Sequence, residues 1–167
     1  MEFRRVSVAI AVVALAVAAL TGCSSHHTDR DPAASAWLTR MSGFLTNVNG
    51  QGGAGGVLGA DSDDSADSED SPKAHGSAEL GSIVPGDYDV LAVCGRASVV
   101  HIAVRAAEGK KLLGSSDVPC GATVRLHVTV PAGGVTISAS APSSAKQGEW
   151  WAGIEKPGWD PGVIGYG

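Results

Sequence analysis

The first residue whose surroundings point to chemistry is Cys23. It follows two arginines, the apolar run VSVAIAVVALAVAAL at residues 6–20, and two small residues. As a helix, that run rises only about 22 Å, which is too short to cross a hydrocarbon core of about 30 Å. An N-terminal charge followed by a short apolar run and small residues instead indicates a secretory signal that is removed after export. Cys23 is therefore expected near the start of the exported chain.

The tetrapeptide Leu20-Thr21-Gly22-Cys23, followed by the hydrophilic SSHHTDRD, resembles the lipobox of bacterial lipoproteins. The resemblance implies that signal peptidase II removes residues 1–22 and that the Cys23 thiolate, a strong nucleophile, forms a thioether to diacylglycerol. Two acyl chains hold a protein durably on a membrane, whereas one short chain binds reversibly. We therefore expect a lipid-anchored protein on the outer face of the cytoplasmic membrane, with residues 23–30 as a tether. An ordinary signal peptide that is cut nearby is the alternative.

Cys94 and Cys120 remain once Cys23 carries lipid. An even pair of cysteines in a chain exported to an oxidising compartment predicts a disulfide. Closing a loop of about 27 residues is worth roughly 3.5 kcal/mol in the chain-entropy model. Two buried free thiols are one alternative, and a metal site is another, which we disfavour because two cysteines without a spaced histidine pair bind zinc poorly. We expect no metal and no other cofactor.

Two histidines could act together if their strands are neighbours. His101 and His127 both point away from the apolar side of a predicted strand, so adjacent strands would let the two imidazoles bind a metal or titrate together. No third ligand can be named from the sequence. We therefore favour two exposed histidines on polar strand faces.

Trp151 and Trp159 are the candidates for contact with a ligand or partner. The alternation that buries Trp150 turns Trp151 outward, and Trp159 follows in a Pro- and Gly-rich tail, residues 157–167. An exposed indole can stack on the CH face of a sugar ring or mark a protein contact. The interpretation that we favour is that the tail folds back and covers Trp151 with Trp159 or Val163.

The composition and the missing motifs exclude several function classes. Residues 23–167 contain ten Lys and Arg against sixteen Asp and Glu, and six of these acids lie within residues 61–70. Because no basic patch is present, we expect no nucleic acid partner. There is no G-x-S-x-G elbow, no Walker loop, no H-E-x-x-H motif and no cysteine paired with a base. We therefore assign no catalytic residue and expect no enzyme activity.

Residues 31–49 have the spacing of an amphipathic helix. Asp31 can cap it, Pro32 can occupy its first position and Gly50 can end it. Its apolar positions recur every three or four residues and are Ala34, Trp37, Leu38, Met41, Phe44, Leu45 and Val48. This face must be buried. We expect it to dock on protein rather than on a membrane, because the polar face carries only Arg40 as a charge.

Residues 50–77 have the composition of a flexible linker. They are rich in Gly, Ser and Asp and contain almost no apolar side chains, so burial cannot offset the entropy of ordering them. The six acids of residues 61–70 could alternatively bind calcium through their oxygens. The central glycine and terminal glutamate of an EF-hand loop are missing, however, so we favour a solvated charge run.

Residues 78–156 change to a two-residue period with a turn signal about every ten residues. The predicted strands are 78–84, 87–94, 100–105, 111–118, 124–130, 135–140 and 149–155. About seven short strands without intervening helices predict a small antiparallel β-sandwich.

The order of these parts, with the segments GDYDVLAVC, VPCGATV and EWWA in the β domain, resembles a group of small actinobacterial lipoproteins of unassigned function. The resemblance implies display outside the cytoplasmic membrane and implies no reaction. Two functions remain. We favour a structural or interaction role in which the sandwich contacts another envelope protein, and the alternative is a carbohydrate-binding module that holds cell-wall glycan through Trp151 and Trp159.

Overall fold

The computed structural model describes residues 31–60, 73–108, 110–145 and 147–162. In these ranges the chain forms one α-helix, nine strands and a short 3-10 helix. The helix is α1 (Pro32–Leu45), and the strands are β1 (Gly53–Val57), β2 (Gly59–Ala60), β3 (Lys73–Leu80), β4 (Gly86–Gly95), β5 (Val99–Ala106), β6 (Leu112–Pro119), β7 (Val124–Val130), β8 (Val135–Pro142) and β9 (Glu149–Glu155). The predicted signal peptide (1–22), Cys23 with its tether (23–30), the acidic run 61–70 and residues 163–167 lie outside the described residues.

The strands form two antiparallel sheets. The four-stranded sheet has the order β1-β9-β4-β7, and the five-stranded sheet has the order β2-β3-β8-β5-β6. Six of the seven predicted strands are present, and the bounds of Val124–Val130 and Glu149–Glu155 are as predicted. The strand predicted at 78–84 is displaced: it overlaps β3 only at residues 78–80, and residues 81–84 follow the strand. The predicted antiparallel β-sandwich is confirmed, with two further short strands, β1 and β2, among the described residues.

The main hydrophobic core lies between the two sheets. β7 buries Leu126, Val128 and Val130 and exposes the side chains between them, because successive side chains of a strand point to opposite faces. The largest side chain in this core is Trp150 of β9. Each large apolar side chain buried here contributes about 1.5–3 kcal/mol to the burial free energy.

A disulfide joins the two layers. Cys94 near the end of β4 is bonded to Cys120, which directly follows β6. β4 belongs to the four-stranded sheet and β6 to the five-stranded sheet. The predicted pairing is confirmed, and it fixes one end of the sandwich.

α1 begins as predicted and ends four residues earlier than predicted. The Asp31 side chain caps it by accepting a hydrogen bond from the Ala33 N–H at 2.9 Å, and Pro32 is its first residue. It ends at Leu45, because Thr46 adopts an extended backbone. Val48 continues the apolar period in the sequence but is 99% exposed. Among the described residues no helix is long and apolar enough to cross a membrane.

The helix docks on the outer face of the four-stranded sheet. Its buried residues are Ala34, Trp37, Met41 and Leu45. The last three form a second hydrophobic cluster, the α1 cluster, with Leu91 and Val93 of β4. The approach is close, because a β-carbon at Gly153 of β9 would overlap the carbonyl oxygen of Leu45. The expected docking on protein is therefore met by the chain's own β domain.

Residues 50–77 were predicted to be a flexible linker, but both ends of this segment form strands. β1 and β2 occupy 53–57 and 59–60, and β3 begins at Lys73. β1 pairs with β9 along its whole length. Two of its glycines are required by packing: a β-carbon at Gly53 would lie 2.9 Å from Trp151 Cζ2, and one at Gly55 would overlap the same ring. Glycine here permits close contact, which composition alone cannot distinguish from glycine that gives flexibility.

Candidate functional site

The two histidines singled out from the sequence lie on different sheets. His101 is on β5 of the five-stranded sheet, where its Nδ1 lies 2.7 Å from Asp117 Oδ1. His127 is on β7 of the four-stranded sheet, with its Nδ1 3.2 Å from Asp89 Oδ1. The two imidazoles therefore do not face each other, and the favoured prediction of two exposed histidines is confirmed. Over the part of the chain that the structure describes, no three His, Cys, Asp or Glu side chains are grouped to hold a metal.

Trp151 points out of the main core, as its alternation with Trp150 predicts, but it is not an exposed platform. Its ring lies against the glycines of β1 and packs on the α1 cluster. Its Nε1 is buried and has no hydrogen-bond partner within the described ranges. Trp159 is also partly buried and packs on the same cluster. Of the two predicted contact residues, Trp159 borders a cleft.

A tight turn after β9 carries Trp159. The turn closes with a hydrogen bond from the Trp159 N–H to the Lys156 carbonyl oxygen at 3.2 Å. Gly158 has a φ of 81°, which favours glycine because it is a left-handed conformation. The sheet holds this turn, since the Gly158 N–H donates to Asp89 Oδ2 at 2.8 Å and Arg125 Nη2 donates to the Trp159 carbonyl oxygen, also at 2.8 Å.

The cleft beside Trp159 lies between this turn and the loop that follows α1. Its volume is about 430 Å³. Its lining consists of Asn47, Asn49, Glu155, Lys156, Pro157, Gly158 and Trp159. It therefore combines amide, carboxylate and ammonium groups with one aromatic ring. Its volume lies within the range of about 300–1,000 Å³ that is usual for small-molecule sites, and its lining is more polar than theirs.

Glu155 forms the floor of the cleft. It lines the cleft although only 1% of the residue is exposed. Its Oε1 accepts a hydrogen bond from the Asn47 N–H at 2.9 Å, and its Oε2 has no partner in the described parts of the chain. Burial raises the pKa of this carboxyl, and the Asn47 N–H opposes that rise. Oε2 has almost no accessible surface and lies against Gly50, so a ligand in the cleft does not reach it unless the surrounding residues shift.

Asp89 on β4 is the second buried acid near the cleft. It is 5% exposed and accepts hydrogen bonds from Arg125 Nη1 at 2.6 Å and from Gly158. Burial alone would raise the pKa of Asp89, but the Gly158 N–H, Arg125 and His127 outweigh it and hold the pKa below its ordinary value. Asp89 is thus an anion that ties the turn to the sheet.

A separate charged cluster lies at the other end of α1. Arg96 pairs with Asp31, the helix cap, and its Nε lies 3.3 Å from Oε1 of the buried Glu149. The hydrogen bond from Arg96 lowers the pKa of Asp31, whereas burial raises the pKa of Glu149. Arg96 borders two larger clefts, of about 740 and 530 Å³. The first contains no aromatic side chain, and the second presents Trp37, which is only 8% exposed.

Comparison with known proteins finds similar solved structures, and the similarity is weak. No protein-family model matches this sequence, and no curated protein sequence resembles it significantly. Similar solved structures include TmCBM61 in complex with β-1,4-galactotriose (20% identity, TM-score 0.32, 51% of this chain and 60% of that chain). The carbohydrate-binding module CBM6cm-2 of Cellvibrio mixtus lichenase 5A, in complex with cellotriose, aligns at 13% identity and a TM-score of 0.36 over 62% of this chain and 96% of that one.

A third similar structure is the carbohydrate-binding module CBM36 in complex with calcium and xylotriose. It aligns at 12% identity and a TM-score of 0.30, over 60% of this chain and 85% of that one. The aligned part spans 60% of the galactotriose-bound chain. At such TM-scores these structures decide neither the fold nor the ligand of this protein, and both are argued from its own residues.

Most residues of the cleft could not be identified from the sequence. Asn47 and Asn49 lie where the helix was predicted to continue, and Glu155 occupies an outward position that alternation assigns to solvent, as does Asp89 outside the cleft. One signal was available: the outward residues of β9 include Trp151 and Gly153, a large apolar and a minimal side chain, which indicates a covered face. The cover is α1 and the Trp159 turn.

Proposed function

We propose that this chain is a lipid-anchored extracytoplasmic module that binds glycan, without catalysis, in the cleft beside Trp159. The observation that carries the proposal is the position of this indole next to Asn47, Asn49 and the buried Glu155. A sugar presents an apolar CH face for stacking and several hydroxyls that both donate and accept hydrogen bonds. An indole with amide and carboxylate groups at one cleft complements both features.

The exposed polar groups at the cleft suit a ligand that carries hydroxyl or amide groups. The Asn49 amide can both donate and accept hydrogen bonds, and the Lys156 ammonium can donate them. Lys156 is the one exposed charged residue in the lining of the cleft, so the lining has no cluster of like charges that would select an ionic ligand. These features support the carbohydrate interpretation over the structural role that we favoured from the sequence.

The anchor belongs to the same proposal. The lipobox-like tetrapeptide ending at Cys23 supports lipidation, which would hold the module at the outer face of the cytoplasmic membrane, next to cell-wall glycan. Fractionation of cells that express Cys23→Ser tests this part. We expect the variant to leave the membrane fraction, and retention equal to the wild-type protein would exclude anchoring through that thiol.

Titration with soluble cell-wall glycan fragments tests the binding site, followed by tryptophan fluorescence in the wild-type protein and by isothermal titration calorimetry in all variants, because the Trp159 variants lack the reporting indole. We expect a saturable change in the wild-type protein, a loss of affinity of about tenfold or more in Trp159→Ala, and near-normal affinity in Trp159→Phe, because an aromatic ring is retained. Asn49→Ala removes one exposed amide at the rim and is expected to weaken binding less. If no glycan changes the fluorescence, the proposed ligand is wrong, and contact with an envelope protein becomes the function to test.

A further inference from the structure

We propose that Asp89 is a positioning residue for Trp159: its buried carboxylate fixes the turn that presents the indole to the cleft. The proposal rests on the glycan-binding function above and adds a determinant of affinity that does not line the cleft. It is carried by the contacts that join β4, β7 and the turn after β9.

Two donors converge on one oxygen of Asp89. Oδ2 accepts from the backbone N–H of Gly158 at 2.8 Å and from Arg125 Nη1 at 2.6 Å. The first of these contacts holds the residue directly before Trp159. Hydrogen bonds to an ionised acceptor are stronger than neutral ones, so this contact restrains the turn more than a neutral side chain would.

The second contact of Arg125 completes the restraint. Its Nη2 donates to the carbonyl oxygen of Trp159 at 2.8 Å, while Nη1 is held by Asp89. Because the guanidinium is planar and rigid, fixing one nitrogen also fixes the direction of the other. Trp159 is therefore restrained on both sides of its α-carbon, through Gly158 before it and through its own carbonyl after it.

Asp89, which restrains the turn, and Glu155, which forms the floor of the cleft, are neighbours on adjacent strands of the sheet. Asp89 is paired in register with His127 of β7 on one side and with Glu155 of β9 on the other. Side chains paired in this way lie on the same face, with β-carbons about 4.5–5.5 Å apart. The position of the indole relative to the Glu155 carboxylate is thus set by adjacent strands of a sheet, a rigid support. A site that is ordered before the ligand arrives binds more tightly, because less ordering accompanies binding.

Asp87 offers a matched control on the same strand and face. Its Oδ1 accepts from Thr129 Oγ1 at 2.7 Å, and no contact between Asp87 and the turn is found among the described residues. Asp87→Asn and Asp89→Asn are the same chemical change two residues apart. If the loss of one negative charge from this face were enough to move Trp159, the two variants would have the same effect.

The experiment uses the full-length protein with 5-fluorotryptophan, so that each of the four tryptophans gives a fluorine NMR signal, assigned by Trp→Phe variants. We expect Asp89→Asn to shift or broaden the Trp159 signal, to leave the signal of Trp150 in the sandwich core unchanged, and to weaken binding of soluble cell-wall glycan fragments about tenfold. We expect Asp87→Asn to change neither the Trp159 signal nor the affinity.

The two proposals fail in different ways. If the Trp159 signal of Asp89→Asn coincides with that of the wild-type protein, Asp89 does not position the indole, whatever the glycan result. If the signal moves but the wild-type protein binds no glycan, the proposed function fails and the positioning contact is supported. Should Asp89→Asn not fold, Arg125→Gln removes the contact with the Trp159 carbonyl from a side chain that is 40% exposed. A shifted Trp159 signal in that variant supports the proposal, and an unshifted one overturns it.

Discussion

The indole of Trp151 lies so close to the backbone of Gly55 that a β-carbon at this glycine would overlap the ring. Trp151 is on β9 and Gly55 is its registered partner on β1. The ring therefore covers the edge strand on the side that faces α1, and a side chain at Gly55 would displace the ring from its place in the α1 cluster.

Gly55→Ala should destabilise the protein by about 1–3 kcal/mol, the range for forcing extra carbon into a packed site. Gly56→Ala is the matched control, because the nearest atom to its added β-carbon would be Trp150 Nε1 at 3.7 Å, an ordinary contact. We expect Gly56→Ala to change stability by less than about 1 kcal/mol. Urea unfolding of both variants measures the difference, and equal stabilities would contradict the packing that we describe.

The strands of the sandwich could be predicted from the sequence because their side chains alternate strictly. In β7 the apolar residues from Leu126 to Val130 define the buried face without reference to any other part of the chain. Such a local pattern is sufficient where each strand has one buried and one solvated face. The same rule fails for Asp89 and Glu155, which alternation places in solvent and which α1 and the Trp159 turn bury.

The glycine-rich start of the predicted linker could not be recognised as a strand for a different reason. Gly53 and Gly55 have no side chain with which to show a two-residue period. Their role is to leave room for Trp151, which is about 100 residues away in the sequence. The cleft residues Asn47 and Asn49 were missed because Val48 extends the helical period past the true end of α1. Both errors concern contacts that only the tertiary structure supplies.

Removing the disulfide should cost about 3.5 kcal/mol of unfolding free energy, from the loop entropy of the 26-residue separation. The double variant Cys94→Ala with Cys120→Ala measures this in urea. Reducing agent applied to the wild-type protein should give a similar loss, whereas it should leave the double variant unchanged. A double variant as stable as the oxidised protein would show that the bond between the two sheets adds nothing to their association.

Asp31 has two roles at the start of α1, because it caps the helix and forms an ion pair with Arg96. Asp31→Asn retains a side-chain oxygen for the Ala33 N–H but loses the ion pair with Arg96, and Asp31→Ala loses both. We expect the melting temperature to fall in the order wild type, Asp31→Asn, Asp31→Ala. The gap between the first two should shrink as salt is added, because the ion pair is exposed and screened. A gap that does not respond to salt would mean that the ion pair contributes nothing to docking of the helix.

Glu155 should make the protein more stable as the pH falls from neutral towards the ordinary pKa of glutamate, about 4.3. The sign follows from its burial, which raises the pKa of Glu155 in the folded state, so the folded protein binds this proton more tightly than the unfolded chain does. The contribution is fully present below the unfolded pKa and is lost as the pH rises through the folded pKa. Glu149, whose pKa burial also raises, acts in the same direction.

Glu155→Gln should therefore be at least as stable as the wild-type protein at pH 8 and should show a shallower dependence of unfolding free energy on pH between about 4.3 and 8. The amide oxygen can still accept from the Asn47 N–H, so the loop after α1 keeps its contact with β9. Glu79→Gln, on the exposed face of β3, is the control and should leave the slope unchanged. Urea unfolding at a series of pH values measures all three proteins. If Glu155→Gln follows the wild-type curve, Glu155 is not the buried acid that couples protonation to folding.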